Sequence, residues 1–112
     1  INERRRFMRI NITARHFKAP KHLKEYAEKK VRRLKRYYDG IIDCHIILDY
    51  EKQTQLAEIT ITVYNQKLVA LEKSEDIFKS IDLAVDKLER QVKKYKEKLR
   101  DHSFDKPSII ET

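Results

Sequence analysis

Four basic side chains in the second half of the sequence have the spacing of one flank of an α-helix. Lys87, Arg90, Lys94 and Lys98 are separated by three, four and four residues, and residues three or four apart are neighbours on a helix surface. Lys79 falls on the same flank two turns earlier. A row of ammonium and guanidinium groups attracts anions. The spacing therefore predicts an anion-binding flank.

A second basic row lies in the first half of the sequence. Lys30, Arg33 and Arg36 are three residues apart, and Tyr37 follows the last of them. Two helices packed side by side on one sheet would bring both rows within reach of one groove. A single exposed charge is usually a solvated surface group, but two dense one-sided rows are the electrostatic footprint of nucleic-acid binding. The predicted nucleic-acid contacts are Lys30, Arg33, Arg36, Lys79, Lys87, Arg90, Lys94 and Lys98.

The positive charge of the chain is concentrated in these two segments. The formal net charge is +8 over 112 residues. Residues 21–36 contain eight Lys or Arg and two Glu, and residues 87–100 contain seven and two, so the two segments carry +11 and the rest about −3. Charge that served only solubility would be interspersed. The segregation indicates a directed basic surface.

Catalytic and metal-binding patterns are missing from the sequence. Gly40 is the only glycine, so no glycine-rich phosphate loop is possible, and no nucleophile with its base can be assembled from sequence. The histidines do not form a metal-ligand spacing with Cys44, which lies in an apolar strand pattern and is interpreted as a small buried side chain. We expect no enzyme, metal, cofactor or small-molecule substrate.

The hydrophobic pattern predicts one soluble, cytoplasmic domain that neither spans nor lies on a membrane. Apolar residues alternate with polar ones in four segments and recur every three or four residues in two. The predicted strands are 9–15, 41–50, 56–64 and 67–73, and the predicted helices are 20–39 and 75–102. Each strand has one apolar face, which one layer of helices can cover. The fold class is α+β: a two-layer sandwich of order β-α-β-β-β-α, with both helices on one face of a four-stranded sheet.

The ends of the elements carry their own signals. Pro20 suits the first helical position, Gly40 a C-terminal cap, and Ser74 the N-terminal cap of the last helix. Asn65-Gln66 is expected to form a hairpin turn. Residues 1–7 are interpreted as an extension or expression remnant, 8–102 as the domain and 103–112 as a flexible tail.

Four segments resemble the ribosome hibernation-promoting factor family, which includes ribosome-associated inhibitor A. They are INITARH at 10–16, HIILDYEK at 45–52, SEDIFKSID at 74–82 and VDKLERQVKKYKEK at 85–98. The resemblance covers about residues 8–102. It implies the same β-α-β-β-β-α fold, whose two helices enter the decoding channel of the small ribosomal subunit and contact ribosomal RNA there.

By position, the resemblance places the family's basic residues on the two rows described above. It implies a translation inhibitor that occupies the messenger and transfer RNA sites of idle ribosomes, and a chain monomeric off the ribosome. The chain resembles the short form or a truncated one, without the C-terminal dimerisation domain. Two alternatives stay open: a general binder of structured RNA, similar to a double-stranded RNA-binding domain, and a scaffold for acidic proteins.

Overall fold

The computed structural model describes the backbone of residues 8–110 and the side chains of residues 8–100. The interpretation of residues 1–7 as an extension therefore lies outside the described residues. The elements are β1 (Arg9–Arg15), α1 (Lys21–Arg32), a 3-10 turn (Arg33–Arg36), β2 (Asp43–Glu51), β3 (Thr54–Val63), β4 (Gln66–Ser74) and α2 (Ile77–Ile110).

The four strands form one sheet in the order β1-β2-β3-β4. β1 and β2 are parallel, and β2, β3 and β4 form an antiparallel meander. A parallel pair needs a crossover connection, which α1 supplies. The predicted α+β sandwich of order β-α-β-β-β-α is confirmed.

The core lies between the sheet and the helix layer. In β3, Ala57, Ile59 and Ile61 are fully buried, whereas the residues between them are half-buried. In α1 the buried residues are Leu23, Ala27 and Val31. The buried stripe of α2 is Ile77, Ile81, Ala84, Val85, Leu88, Val92 and Tyr95. The three-and-four spacing of apolar residues predicts this stripe and also Leu99, which is only partly buried. The rotation of α2 about its axis therefore follows from hydrophobic burial.

The first helix is shorter than predicted. α1 ends at Arg32, and the 3-10 turn follows, with the N–H of Tyr37 donating to the carbonyl of Leu34 at 3.0 Å. Gly40 was wrongly predicted as a left-handed cap, because its φ is not positive. A Cβ on Gly40 would lie 2.5 Å from the ring of Tyr38, so close packing of that ring explains the glycine.

The last helix begins and ends later than predicted. Asp76, and not Ser74, caps it: its Oδ1 accepts from the N–H of Phe78 at 3.0 Å. The Ser74 hydroxyl instead holds the preceding turn, accepting from the N–H of Asp76 at 3.1 Å. The helical backbone continues to Ile110, past the expected end at His102. The division into a domain at 8–102 and a tail at 103–112 stays a prediction.

Strand boundaries also differ from the prediction. The β3–β4 turn is Tyr64-Asn65, with Asn65 in the left-handed region at φ 70°, and Gln66 already belongs to β4. In β2 the alternation places Ile42 and Tyr50 on the buried face, but both are exposed. They lie at the ends of the segment, beyond the central residues that the helices cover, and Tyr50 stacks on Phe17 at 4.4 Å between ring centroids.

Asp49 is buried, although the alternation puts it on the solvent face. The Nδ1–H of His16, at the end of β1, donates to its Oδ1 at 2.7 Å. This hydrogen bond lowers the pKa of Asp49 below its ordinary value of 3.8. His16 adopts a left-handed φ of 68° to reach it. The pair therefore ties the end of β1 to β2.

The burial of Cys44 fits the sequence interpretation. Cys44 is buried on β2, and burial raises the pKa of its thiol to about 12, which keeps the thiol protonated at neutral pH. Among the residues that the structure describes, no helix combines the length and the apolar character needed to cross a membrane.

Replacing Leu88 with Ala tests the assignment of the helix faces. Leu88 is fully buried, so the free energy of unfolding should fall by about 2–5 kcal/mol, from lost burial and the cavity left behind. Leu83→Ala on the same helix is the matched control, since Leu83 is 37% exposed. Urea denaturation measures both. Equal losses would mean that the faces of α2 are wrongly assigned.

The Asp49 pair should make stability depend on acid pH. Because the folded pKa is lowered, the contribution is complete above the ordinary value of 3.8 and disappears as pH falls through the folded pKa. Asp49→Asn removes the titrating group. The stability difference between the unaltered chain and this variant should narrow below about pH 4, as followed by urea denaturation at several pH values. A difference independent of pH would contradict this assignment.

Candidate nucleic-acid interface

The predicted basic row of α2 faces the β4 edge of the sheet. Lys87 Nζ lies 2.9 Å from Glu72 Oε2 on β4. Gln91, on the same flank, donates from Nε2 to the carbonyl of Val69 on β4 at 2.9 Å. Lys94 and Lys98 line a recess next to these contacts. This flank therefore points away from α1.

The opposite flank of α2 faces α1 and the 3-10 turn. Asp82 accepts from the Tyr26 hydroxyl at 2.6 Å and forms an ion pair with Lys30 at 3.2 Å. Farther along, Lys93 Nζ lies 4.8 Å from the centroid of the Tyr37 ring, a cation–π distance. The expectation that both predicted rows share one groove is therefore wrong. The body of α2 separates them, because burial of its apolar stripe fixes its rotation.

A different set of residues lines the groove between the helices. Its volume is about 300 Å³, and its lining residues are Arg36, Tyr37, Lys93, Lys96, Glu97 and Arg100. Sequence reasoning selected Arg36 but omitted Lys93, Lys96 and Arg100 from the site. These three are also spaced by three and four residues. This spacing also predicts a basic flank, but it does not show which flank of α2 faces α1.

Among the basic side chains of the two predicted rows and of the inter-helix groove, three have acidic partners in the described part of the chain. Lys30 pairs with Asp82, and its side chain is only 20% exposed. Lys87 pairs with Glu72, and Lys93 pairs with Glu89 at 3.1 Å. Within residues 8–100, no acidic side chain forms an ion pair with the other six predicted contacts: Arg33, Arg36, Lys79, Arg90, Lys94 and Lys98. All six are exposed.

These six cations are not evenly distributed. Arg33 and Arg36 lie on one side of the 3-10 turn, since residues three apart eclipse in that geometry. Arg90, Lys94 and Lys98 follow one another along the second half of α2. Lys79 lies near the start of α2, 11 residues before Arg90, about 16 Å along the axis. It therefore stands apart from the other five.

The second half of α2 carries basic groups on both flanks. Thirty-four residues at 1.5 Å per residue make a helix about 50 Å long, comparable to the longest dimension of the molecule, 56 Å. From Lys93 to Arg100 the exposed charges are four Lys, one Arg and one Glu. This end of α2 is therefore strongly basic and exposed. Within residues 8–100 no group of three or more His, Cys, Asp or Glu could hold a metal ion.

The Tyr26–Asp82–Lys30 contact is an inter-helix tie. The hydrogen bond to Asp82 raises the pKa of Tyr26 to about 12, with further contributions from burial and from the Asp82 charge. Edge-to-face packing of Tyr26 on Phe78, at 5.0 Å between centroids, adds an aromatic contact between the same helices. The tie holds α1 against α2 and fixes the width of the groove farther along.

The sequence matches a known protein family. The family model described as "Sigma 54 modulation protein / S30EA ribosomal protein" matches residues 10–100. The chain belongs to this family.

Proteins similar in sequence to this chain are known from several bacteria. The chain is 38% identical over 91 residues to the ribosome hibernation promoting factor of Azotobacter vinelandii, covering 81% of this chain and 85% of that protein. It is 33% identical over 95 residues to the protein of the same name from Escherichia coli (strain K12), covering 85% of this chain and all of that one.

Solved structures agree with the fold. A ribosomal subunit interface protein from Coxiella burnetii superposes with a TM-score of 0.76 at 31% identity, over 80% of this chain and 99% of that one. The N-terminal domain of Thermus thermophilus Protein Y gives a TM-score of 0.74 at 32% identity, over 79% and 99%.

Replacing Asp82 with Asn should loosen the inter-helix tie. With the carboxylate charge removed, we expect the pKa of Tyr26 to fall from about 12 towards 10 and the free energy of unfolding to drop, since Lys30 loses its half-buried partner. Titration of the tyrosine ring NMR signals measures the first effect and urea denaturation the second. Asp86→Asn, at an exposed position on α2, is the control. An unchanged Tyr26 pKa in Asp82→Asn would contradict the tie.

Proposed function

We propose that this protein is a ribosome hibernation factor that binds the small ribosomal subunit through its helix layer. Its relatives named ribosome hibernation promoting factor, and its structural neighbour named ribosomal subunit interface protein, support a ribosomal partner. The bound protein would occupy the messenger and transfer RNA sites of idle ribosomes and so inhibit translation. It acts in the cytoplasm, where ribosomes are found.

The observation that carries this proposal is the concentration of unpaired cations on the helix side. On the helix side, Arg33, Arg36, Arg90, Lys94 and Lys98 have no acidic partner within the described residues. The open face of the sheet carries fewer cations: Arg9 is paired with Asp43 at 3.4 Å, and Arg15, Lys67 and Lys73 have no ion-pair partner within the described residues. Unpaired cations can exchange their counterions for phosphates, and counterion release drives binding to nucleic acid.

Within this surface the predicted residues have different roles. Arg33, Arg36, Arg90, Lys94 and Lys98 are proposed as direct contacts to ribosomal RNA phosphates. Lys93, Lys96 and Arg100 join them through the inter-helix groove. Lys30 and Lys87 are proposed as positioning residues, because each forms an ion pair that joins two elements, α1 to α2 and α2 to β4. Lys79 is proposed as a peripheral contact.

The proposed mechanism is occupancy and involves no bond making or breaking. A binder of this kind acts stoichiometrically, one protein for each small subunit. The domain at residues 8–102 is proposed to suffice for it, as a monomer. The alternative, a general binder of structured RNA, differs in one measurable respect: it would bind an isolated RNA duplex about as tightly as the small subunit.

Removing two unpaired cations should weaken ribosome binding through electrostatics alone. In the Arg33→Gln, Arg90→Gln double variant, co-sedimentation with small subunits should require at least about tenfold more protein at physiological salt, and the slope of log affinity against log salt should decrease by about 2. The fold should persist, since exposed charges contribute little stability.

The matched control is Lys67→Gln with Lys73→Gln on β4, which removes the same net charge from two other exposed positions. Binding by this control should stay close to that of the unaltered chain. An equal loss in both double variants would mean that total charge, and not the helix layer, governs binding.

A further inference from the structure

The recess between β4 and α2 differs from the groove between the helices in its chemistry. Its volume is about 170 Å³, and its lining residues are Gln66, Leu68, Gln91, Lys94, Tyr95 and Lys98. Two carboxamides and two ammonium groups thus surround an apolar floor. A surface that only attracts phosphate does not need two carboxamides beside an aromatic ring.

The floor of the recess is rigid. Leu68 and Tyr95 belong to the hydrophobic core. The Tyr95 hydroxyl donates to the carbonyl of Tyr64 at 2.8 Å, and its ring packs edge-to-face on Tyr38 at 5.4 Å between centroids. Both contacts hold the ring in one orientation. A flat apolar group entering the recess would meet a preformed surface and lose little free energy to reorganisation.

The two carboxamides present defined hydrogen-bonding groups. The Nε2 of Gln91 donates to the Val69 carbonyl, and this contact fixes the side chain so that Oε1 remains as an acceptor. The side chain of Gln66 has no hydrogen-bond partner within the described residues and offers both a donor and an acceptor. The recess therefore presents two carboxamide oxygens as acceptors, and the free N–H groups of both carboxamides as donors, above an apolar floor.

The two lysines lie on the outer rim. Lys94 and Lys98 are one helical turn apart and have no ion-pair partner within residues 8–100. Neighbouring phosphates of an RNA strand can be reached from two such positions while a base lies between them. Single-stranded RNA is recognised by this combination of phosphate contacts, an apolar surface and hydrogen bonds to base edges.

We propose that this recess binds one unpaired nucleotide of RNA, with a preference for a base that carries an amino group. An exocyclic amino group has two hydrogens and can donate to both carboxamide oxygens, whereas uracil has a single N–H on its pairing edge. The proposal rests on the proposed function, because it names the part of the RNA partner that this flank recognises. It adds base recognition to a surface that otherwise reads only phosphate.

The test is a comparison of short labelled oligoadenylate, oligocytidylate and oligouridylate by fluorescence anisotropy. The unaltered chain should bind the adenylate and cytidylate oligomers on the order of tenfold more tightly than the uridylate oligomer. Gln66→Leu should bring the three affinities close together while leaving their salt dependence unchanged, since no charge is altered.

Gln53→Leu, in the β2–β3 turn, is the matched control and should keep the preference. Equal affinities in the unaltered chain, or an undiminished preference in Gln66→Leu, would overturn the proposal. Small-subunit co-sedimentation is measured in parallel. If the unaltered chain binds the small subunit but shows no base preference, only the proposed nucleotide site is rejected. If the unaltered chain does not bind the small subunit, the proposed function is rejected.

Discussion

Burial of one apolar stripe on α2 is the constraint on which the rest of the structure depends. The stripe from Ile77 to Tyr95 packs on β3 and β4, and a large hydrophobic surface has only one rotation in which it is removed from water. Once that rotation is set, each charged residue of α2 has a fixed direction. Lys87 and Gln91 contact β4, Asp82 contacts α1, and Lys93 contacts Tyr37 just after the 3-10 turn. The surface charge pattern is thus a consequence of core packing.

Gathering so much positive charge on one layer has a cost, which a few acidic residues offset. Like charges repel, and a net charge of +8 acts against compactness. Asp82 and Glu72 neutralise Lys30 and Lys87 where α2 approaches α1 and β4, and Glu89 neutralises Lys93 within α2. The five unpaired cations proposed as RNA contacts project from the 3-10 turn and from the second half of α2. Acidic residues thus support the fold at its contacts, and the unpaired cations are left for a partner.

Much of this molecule could be predicted from sequence, because hydrophobic periodicity is a local signal. The alternation at Ala57, Ile59 and Ile61 and the stripe around Leu88 specify their elements without knowledge of the rest. The wrong predictions concern positions that are decided by tertiary contacts. The close approach of the Tyr38 ring, and not a left-handed backbone, accounts for Gly40, and His16 reaches across from β1 to hydrogen-bond the buried Asp49.

The candidate site shows the same limit. Spacing identified Arg90, Lys94 and Lys98 as one flank, and the structure keeps them together. Residue spacing could not identify the element next to that flank, because the order of helices over a sheet is a property of the whole fold. For the same reason, Lys93, Lys96 and Arg100 were omitted, although they line the groove beside Tyr37. Sequence also does not distinguish an unpaired Lys94 from a Lys30 held by Asp82.

Competition on the ribosome tests the central proposal most directly. Purified small subunits, either empty or loaded with messenger and transfer RNA, are titrated with the protein, and bound protein is measured after sedimentation. Occlusion predicts saturation at one protein per empty subunit and a large loss of affinity for loaded subunits, because both ligands need the same space. Equal affinity for empty and loaded subunits would contradict it.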